Sequence, residues 1–230
     1  MTTFDNDLSS HGCEADGNYA IVVHGWKESI RTPWVIDMVR NLSFYRGGCV
    51  IFMDYSKYSI VADYFRLVRQ FEGITAVLLR KVKQIANYDR LFMFGFSFGA
   101  RLCFEVGAQM GRGVIDRIDA CDPAGPGFDM NVRSVDPKNS AKNVACINTS
   151  TDKGTGVYNC HQNFRMGLCG RSQAAAGPRP LGNHGLCPYF YNAAFEHEFV
   201  ADNFYNCKSL RTASNLPSDY RMGYMEQRAS

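Results

Sequence analysis

Short apolar runs alternate along this chain with stretches of helical periodicity, and that alternation leaves few folds open. Tyr19-Ala20-Ile21-Val22-Val23, Cys49-Val50-Ile51-Phe52-Met53, Leu91-Phe92-Met93-Phe94 and Val114-Ile115-Asp116-Arg117-Ile118 read as strands. Between the first two, Pro33 opens a helix with apolar Val35, Ile36, Val39 and Leu42, closed by Gly47-Gly48. A second helix runs through Ile74, Val77, Leu78, Val82 and Ile85, and a third from Phe98 to Met110. Such an order implies right-handed crossovers and a mainly parallel sheet with helices on both faces, the α/β class. Beyond Asp122 the texture turns to Gly, Pro, Asn and Cys, with one more strand at Val144-Ala145-Cys146-Ile147-Asn148. The rest of that region reads as loop, and long loops at the carboxyl ends of strands are where an open α/β sheet builds its site.

At 230 residues and 46% hydrophobic content, residues 1–230 are read as one domain with one sizeable core. A net charge of +3, with Lys and Arg scattered, gives no nucleic-acid surface. No run approaches the roughly 20 apolar residues that span a bilayer. The start, Met1 to Asp7, lacks the basic and apolar parts of a secretory signal. Nine cysteines point the other way: Cys146, Cys160, Cys169, Cys187 and Cys207 crowd a loop-rich third where disulfides staple small secreted folds. An extracellular protein given without its signal segment reconciles the two. The odd count leaves at least one thiol unpaired within the chain. Asn41-Leu42-Ser43 and Asn148-Thr149-Ser150 are glycosylation sequons.

Gly95-Phe96-Ser97-Phe98-Gly99 sits directly after one strand and directly before a helix. A turn that tight leaves no room for side chains beside the serine, so Gly95 and Gly99 are needed to present the Ser97 hydroxyl over the sheet. A serine hydroxyl attacks only when a base takes its proton and an acid holds that base in the right tautomer. Asp122, at the exit of the next strand and followed by Pro123, is the favoured acid over Asp116 and Asp119. With the chain order serine, acid, histidine, the candidate bases are His161, His184 and His197. His184 is favoured because its loop, Leu181-Gly182-Asn183-His184-Gly185, leads into the apolar Tyr189-Phe190-Tyr191. His24-Gly25-Trp26 ends the first strand, so the N–H groups of Trp26 and Phe98 are the candidate oxyanion donors, with His24 as a structural hydrogen-bonder. This chemistry needs no metal and no organic cofactor.

These segments resemble the pancreatic lipase family, particularly its short insect members, which have the α/β-hydrolase fold. The resemblance runs from Ala20-Ile21-Val22-Val23-His24-Gly25-Trp26 through Gly95-Phe96-Ser97-Phe98-Gly99-Ala100 to Asp122-Pro123-Ala124-Gly125-Pro126, and resumes at His184-Gly185-Leu186-Cys187-Pro188. The Asp-Pro-Ala-Gly-Pro run is its most specific part. The resemblance implies a secreted serine ester hydrolase acting on acylglycerols or at the first ester position of phospholipids, with room for association with a lipid surface. It also implies pairing of Cys187 with Cys207, and a lid between acid and base. If Cys160 paired with Cys169, that lid would be short and the site open; Arg171 to Leu181 is the alternative cover. Phe96 stands where many active members have histidine. Against the family the chain reads as shortened at both ends, without a C-terminal β-sandwich, so that strand edges could be covered by a partner chain. The competing function is a catalytically inactive lipid-binding, storage or interaction protein on the same scaffold.

Overall fold

The apolar runs pair side by side. In chain order the elements are β1 (Tyr19–Val23), α1 (Pro33–Asn41), β2 (Cys49–Met53), α2 (Ser56–Ser59), α3 (Tyr64–Arg69), α4 (Phe71–Val82), β3 (Leu91–Phe96), α5 (Phe98–Met110), β4 (Arg117–Cys121), β5 (Asn143–Asn148), β6 (Gln162–Arg165), α6 (Gly182–Gly185) and α7 (Cys187–Ala193). The computed structural model describes residues 8–85, 87–129, 135–150, 159–167, 169–177, 182–197 and 199. All described strand pairings are parallel, in the order β2-β1-β3-β4-β5-β6.

Because side chains alternate along a strand, β1 feeds two cores at once. Tyr19, Ile21 and Val23 pack with Leu78 and Val82 of α4 and Leu102, Phe104 and Val106 of α5. Ala20 and Val22 pack on the other face with Trp34, Val35 and Met38 of α1 and Tyr191 of α7. Two-sided cover explains why β1 and β3 are buried along their whole length. Each large side chain so buried contributes roughly 1.5–3 kcal/mol. Among the described residues no helix is long and apolar enough to cross a membrane.

The order 2-1-3 is what positions a site. From β1 the chain crosses through α1 to β2 on one side, then returns past β1 to β3 on the other. The connections leaving β1 and β3 therefore diverge to opposite faces, α1 to one and α5 to the other, which makes their carboxyl ends the switch point where open α/β sheets build their sites.

Several expectations need correction. The fourth strand is Arg117–Cys121, not Val114–Ile118. Asp119 reads as a polar exit but is buried inside the strand, satisfied by Arg117 Nε at 2.7 Å and by Tyr191 Oη–H at 2.6 Å. The Cys160 to Cys169 span is not a lid, because it contains strand β6, which pairs parallel to β5. Cys160 pairs with Cys146, and Cys169 is disulfide-bonded elsewhere, so the short-lid argument for an open site falls. Arg171 to Leu181 is described only to residue 177, where Gln173 donates to the carbonyls of Thr149 and Met166, both at 2.9 Å. Cys187 pairs with Cys121, which overturns the Cys187–Cys207 pairing; Cys207 lies outside the described residues. Another described disulfide joins Cys13 to Cys49, and among the described residues the free thiol is the buried Cys103. Asn148 of the second sequon is buried, with Nδ2 donating to Phe164 O at 3.5 Å.

Candidate active site

Ser97 stands between β3 and α5 with φ of 56° and ψ of −118°, a left-handed conformation that costs a non-glycine residue on the order of 1–3 kcal/mol. Its surroundings hold it there. Ser97 N–H donates to Cys121 O at 2.9 Å, and Ser97 O accepts from Ala124 N–H at 3.1 Å, so the turn is knitted to the end of β4. The flanking glycines answer to space. A Cβ on Gly95 would lie 2.6 Å from Ala100 Cα, and one on Gly99 would lie 2.3 Å from Val23 O and 2.4 Å from His24 O. No L side chain fits either position without moving backbone.

Asp122 follows β4 directly, also with positive φ, 43°, and is buried. Its Oδ1 accepts Thr149 N–H at 2.9 Å and Ser150 N–H at 3.2 Å, both just past β5. Its Oδ2 accepts from Ser150 Oγ–H and faces His184 Nδ1. On the other side of the ring, His184 Nε2 lies 2.9 Å from Ser97 Oγ. The structure thus brings Ser97, His184 and Asp122 into one hydrogen-bonded line. His184 sits in the single helical turn α6 rather than in open loop, and its side chain is 40% exposed, open to a substrate from outside. Asn183 Oδ1 accepts Gln173 N–H at 2.9 Å and steadies that turn.

The competitors are elsewhere. His161 Nδ1 accepts Val144 N–H at 3.1 Å at the amino end of β5, opposite the Ser97 end of the sheet. His197 lies in the turn after α7, its N–H on Ala193 O at 2.8 Å. Asp116 precedes β4, its carbonyl accepting Asn143 N–H at 3.0 Å. Asp119 is tied up inside the strand.

Trp26 and Phe98 flank the serine from β1 and α5. Phe98 is the first residue of α5, so its N–H has no partner inside the helix. Among the described residues no loop or turn carbonyl takes the Trp26 N–H. The Trp26 indole is anchored by its own donation to Val61 O at 2.8 Å. Among the described residues no group of three or more His, Cys, Asp or Glu side chains is arranged to hold a metal ion.

The family model for lipases matches residues 2–164. The chain belongs to the lipase family. Lipase member H of rabbit (Oryctolagus cuniculus) is 28% identical over 138 residues, which cover 57% of this chain and 30% of the rabbit protein. Lipase member H of mouse (Mus musculus) is 25% identical over 216 residues, 88% of this chain and 46% of the mouse protein. The chain spans less than half the length of these curated relatives. Among solved structures, a protein of Xanthomonas campestris described as an alpha/beta-superfamily hydrolase superposes with a TM-score of 0.42 at 13% identity, covering 56% of this chain and 70% of that one. The parallel sheet, the strand order and the strand-serine-helix turn of this lipase-family chain are themselves those of the α/β-hydrolase fold.

Sequence reasoning missed the contacts that Thr149, Ser150, Phe96 and Glu28 make here. Ser150 and the Thr149 N–H complete the hydrogen bonds of Asp122, yet in the sequence they read only as the tail of a sequon. Phe96 packs against the His184 ring, with centroids 4.8 Å apart. Glu28 accepts Gly25 N–H at 2.7 Å, a contact that no local pattern in the sequence marks.

His24 is buried, stacked on Tyr55 at 4.1 Å, and donates from Nδ1 to Gly25 O at 2.8 Å. Burial pushes its pKa down to about 4, against the pull of Asp54. The sign follows from the proton count. Below pH about 6.5 the unfolded chain protonates this ring while the fold does not until about 4, so stability present above 6.5 is lost as pH falls between them. The loss should reach about 3 kcal/mol. Denaturant unfolding at pH 7 and pH 4 should therefore show a smaller pH-dependent loss in His24→Asn, by about that amount; equal losses would contradict the assignment.

Proposed function

We propose that this chain is a carboxylester hydrolase acting on lipid esters through an acyl-enzyme. The observation that carries the reading is the 2.9 Å approach of His184 Nε2 to Ser97 Oγ, with His184 Nδ1 on a buried, fully hydrogen-bonded Asp122. Ser97 Oγ attacks the ester carbonyl carbon and gives its proton to His184 Nε2. Asp122 holds the tautomer that leaves Nε2 free to accept it and stabilises the imidazolium. The tetrahedral oxyanion is held by the N–H groups of Trp26 and Phe98. Collapse breaks the ester C–O bond, the departing alcohol takes the proton from His184, and water, deprotonated by the same ring, releases the acid. The substrate class, acylglycerol or the first ester of a phospholipid, rests on the family resemblance. An extracellular setting is supported by three described disulfides, which persist in oxidising compartments.

The test is labelling with a fluorophosphonate, in which Ser97 Oγ displaces fluoride from phosphorus. Peptide mapping should find the adduct on Ser97 and none in Ser97→Ala. Wild-type protein that stays unmodified but retains lipid binding would replace the enzyme with a lipid-binding or storage protein.

A further inference from the structure

The turn after β1 carries a carboxylate that the reaction above leaves unused. Glu28 is half-buried and spans two donors: Oε2 accepts Gly25 N–H and Oε1 accepts the Trp34 indole N–H, each at 2.7 Å. The Trp34 end is rigid, being fully buried and packed on Phe94 and Phe96 at 5.8 and 5.9 Å between centroids. The Gly25 end touches the site. A Cβ on Gly25 would lie 3.1 Å from Ser97 Cβ and 3.1 Å from Glu28 Oε2, so this backbone lies close against both the nucleophile and the carboxylate. Lys27, between Gly25 and Glu28, has φ of 61°, a strained turn held by Lys27 N–H on Ser59 O and Ser59 Oγ–H on Glu28 O, both at 2.8 Å.

A trans peptide carries its carbonyl and its N–H on opposite edges of one plane. His24 holds the Gly25 carbonyl and with it the plane of the Trp26 N–H, while Glu28 holds the N–H of the preceding peptide, so the two together set the angle between the peptides on either side of Gly25. Donors stabilise an oxyanion in proportion to how well they are placed before charge develops.

We propose that Glu28 is a positioning residue for acyl transfer: by taking the Gly25 N–H it fixes the His24–Gly25 peptide and so, together with His24 on the Gly25 carbonyl, the ψ of Gly25 and the turn that makes the Trp26 N–H face the developing oxyanion. The inference rests on Ser97 as nucleophile. Gln at this position offers one oxygen where two donors converge and turns its NH2 toward the other, so it unseats one end. Asp keeps the charge but is too short to reach both.

The experiment uses the full chain with a water-soluble p-nitrophenyl ester, and phenylboronic acid, which forms a tetrahedral adduct on Ser97 Oγ, as a transition-state mimic. In Glu28→Gln and Glu28→Asp, kcat should fall by about 10- to 100-fold with KM changed less than about threefold, and boronate affinity should fall by a similar factor. Unchanged kcat and boronate affinity, a rise confined to KM, or a loss of kcat without loss of boronate affinity would overturn the role. Failure of both variants to fold would overturn it in favour of a purely structural one. Ser97→Ala separates the two readings. If it still hydrolyses the ester, the proposed function fails; if it does not and Glu28→Gln keeps wild-type kcat and boronate affinity, this inference alone fails.

Discussion

Ser97→Ala and His184→Ala should each lower turnover by about the same factor, on the order of a millionfold by comparison with other triads, and the double variant should fall little further. The equality follows from the proposed mechanism, in which Ser97 Oγ is activated only through His184 Nε2, 2.9 Å away, so either loss disables the same step. Asp122→Asn should cost about ten-thousandfold. Two backbone N–H groups, of Thr149 and Ser150, converge on Oδ1 and require an oxygen there. The asparagine NH2 is then turned to the Oδ2 side, where it donates to His184 Nδ1 and forces the ring proton onto Nε2. A protonated Nε2 cannot accept from Ser97. His161→Ala, at the opposite end of the sheet, should leave the rate within about threefold. Initial rates on a soluble ester decide the assignment. Retained hydrolysis in His184→Ala, or loss in His161→Ala alone, would move the base.

The parts of this site legible in the sequence are those whose chemistry demands particular residues at fixed points of the chain. Ser97 between two glycines needs a strand before and a helix after, and Asp122-Pro123 needs a strand end; both conditions are local. What stayed hidden depends on partners far away in the chain. Asp119 looked like the outer end of a strand because an aspartate inside a parallel sheet is costly, and nothing local reveals Arg117 and Tyr191 closing around it. That misreading moved the fourth strand three residues toward the amino end. Strand β6, Gln162-Asn163-Phe164-Arg165, carries a single apolar residue among polar ones, so no apolar run marks it in the sequence. Cysteine partners are the least legible, since spacing alone does not choose among pairings. The same gap hid Glu28, whose role appears only when Trp34 and Gly25 are seen on its two oxygens.

The second large effect should come from the Cys121–Cys187 disulfide. Cys121 is the last residue of β4, one before Asp122, and Cys187 opens α7, three after His184. The bond therefore ties the strand end that presents the acid to the segment that presents the base. It closes a separation of 66 residues, so in the chain-entropy account its loss removes about 4 kcal/mol of stability. Cys146–Cys160, across 14 residues, should contribute less, about 3 kcal/mol. Both sulfurs of the longer bridge lie in the core face shared by Phe94, Phe96 and Tyr191, so Cys121→Ala/Cys187→Ala leaves small apolar groups in an apolar place and exposes no new polar atom. Its effect then reports the tether itself. Urea unfolding at neutral pH should show the destabilisation. At temperatures where the variant is still folded, kcat should also drop, because α6 is then held over Ser97 by non-covalent contacts alone, among them the Gln173 to Asn183 bond, the Asp122 contact and the packing of Phe96 on the His184 ring. A double variant with wild-type stability would refute the entropic tether. One that is destabilised but turns over normally would show that the hydrogen bonds around Asp122 align the base without it.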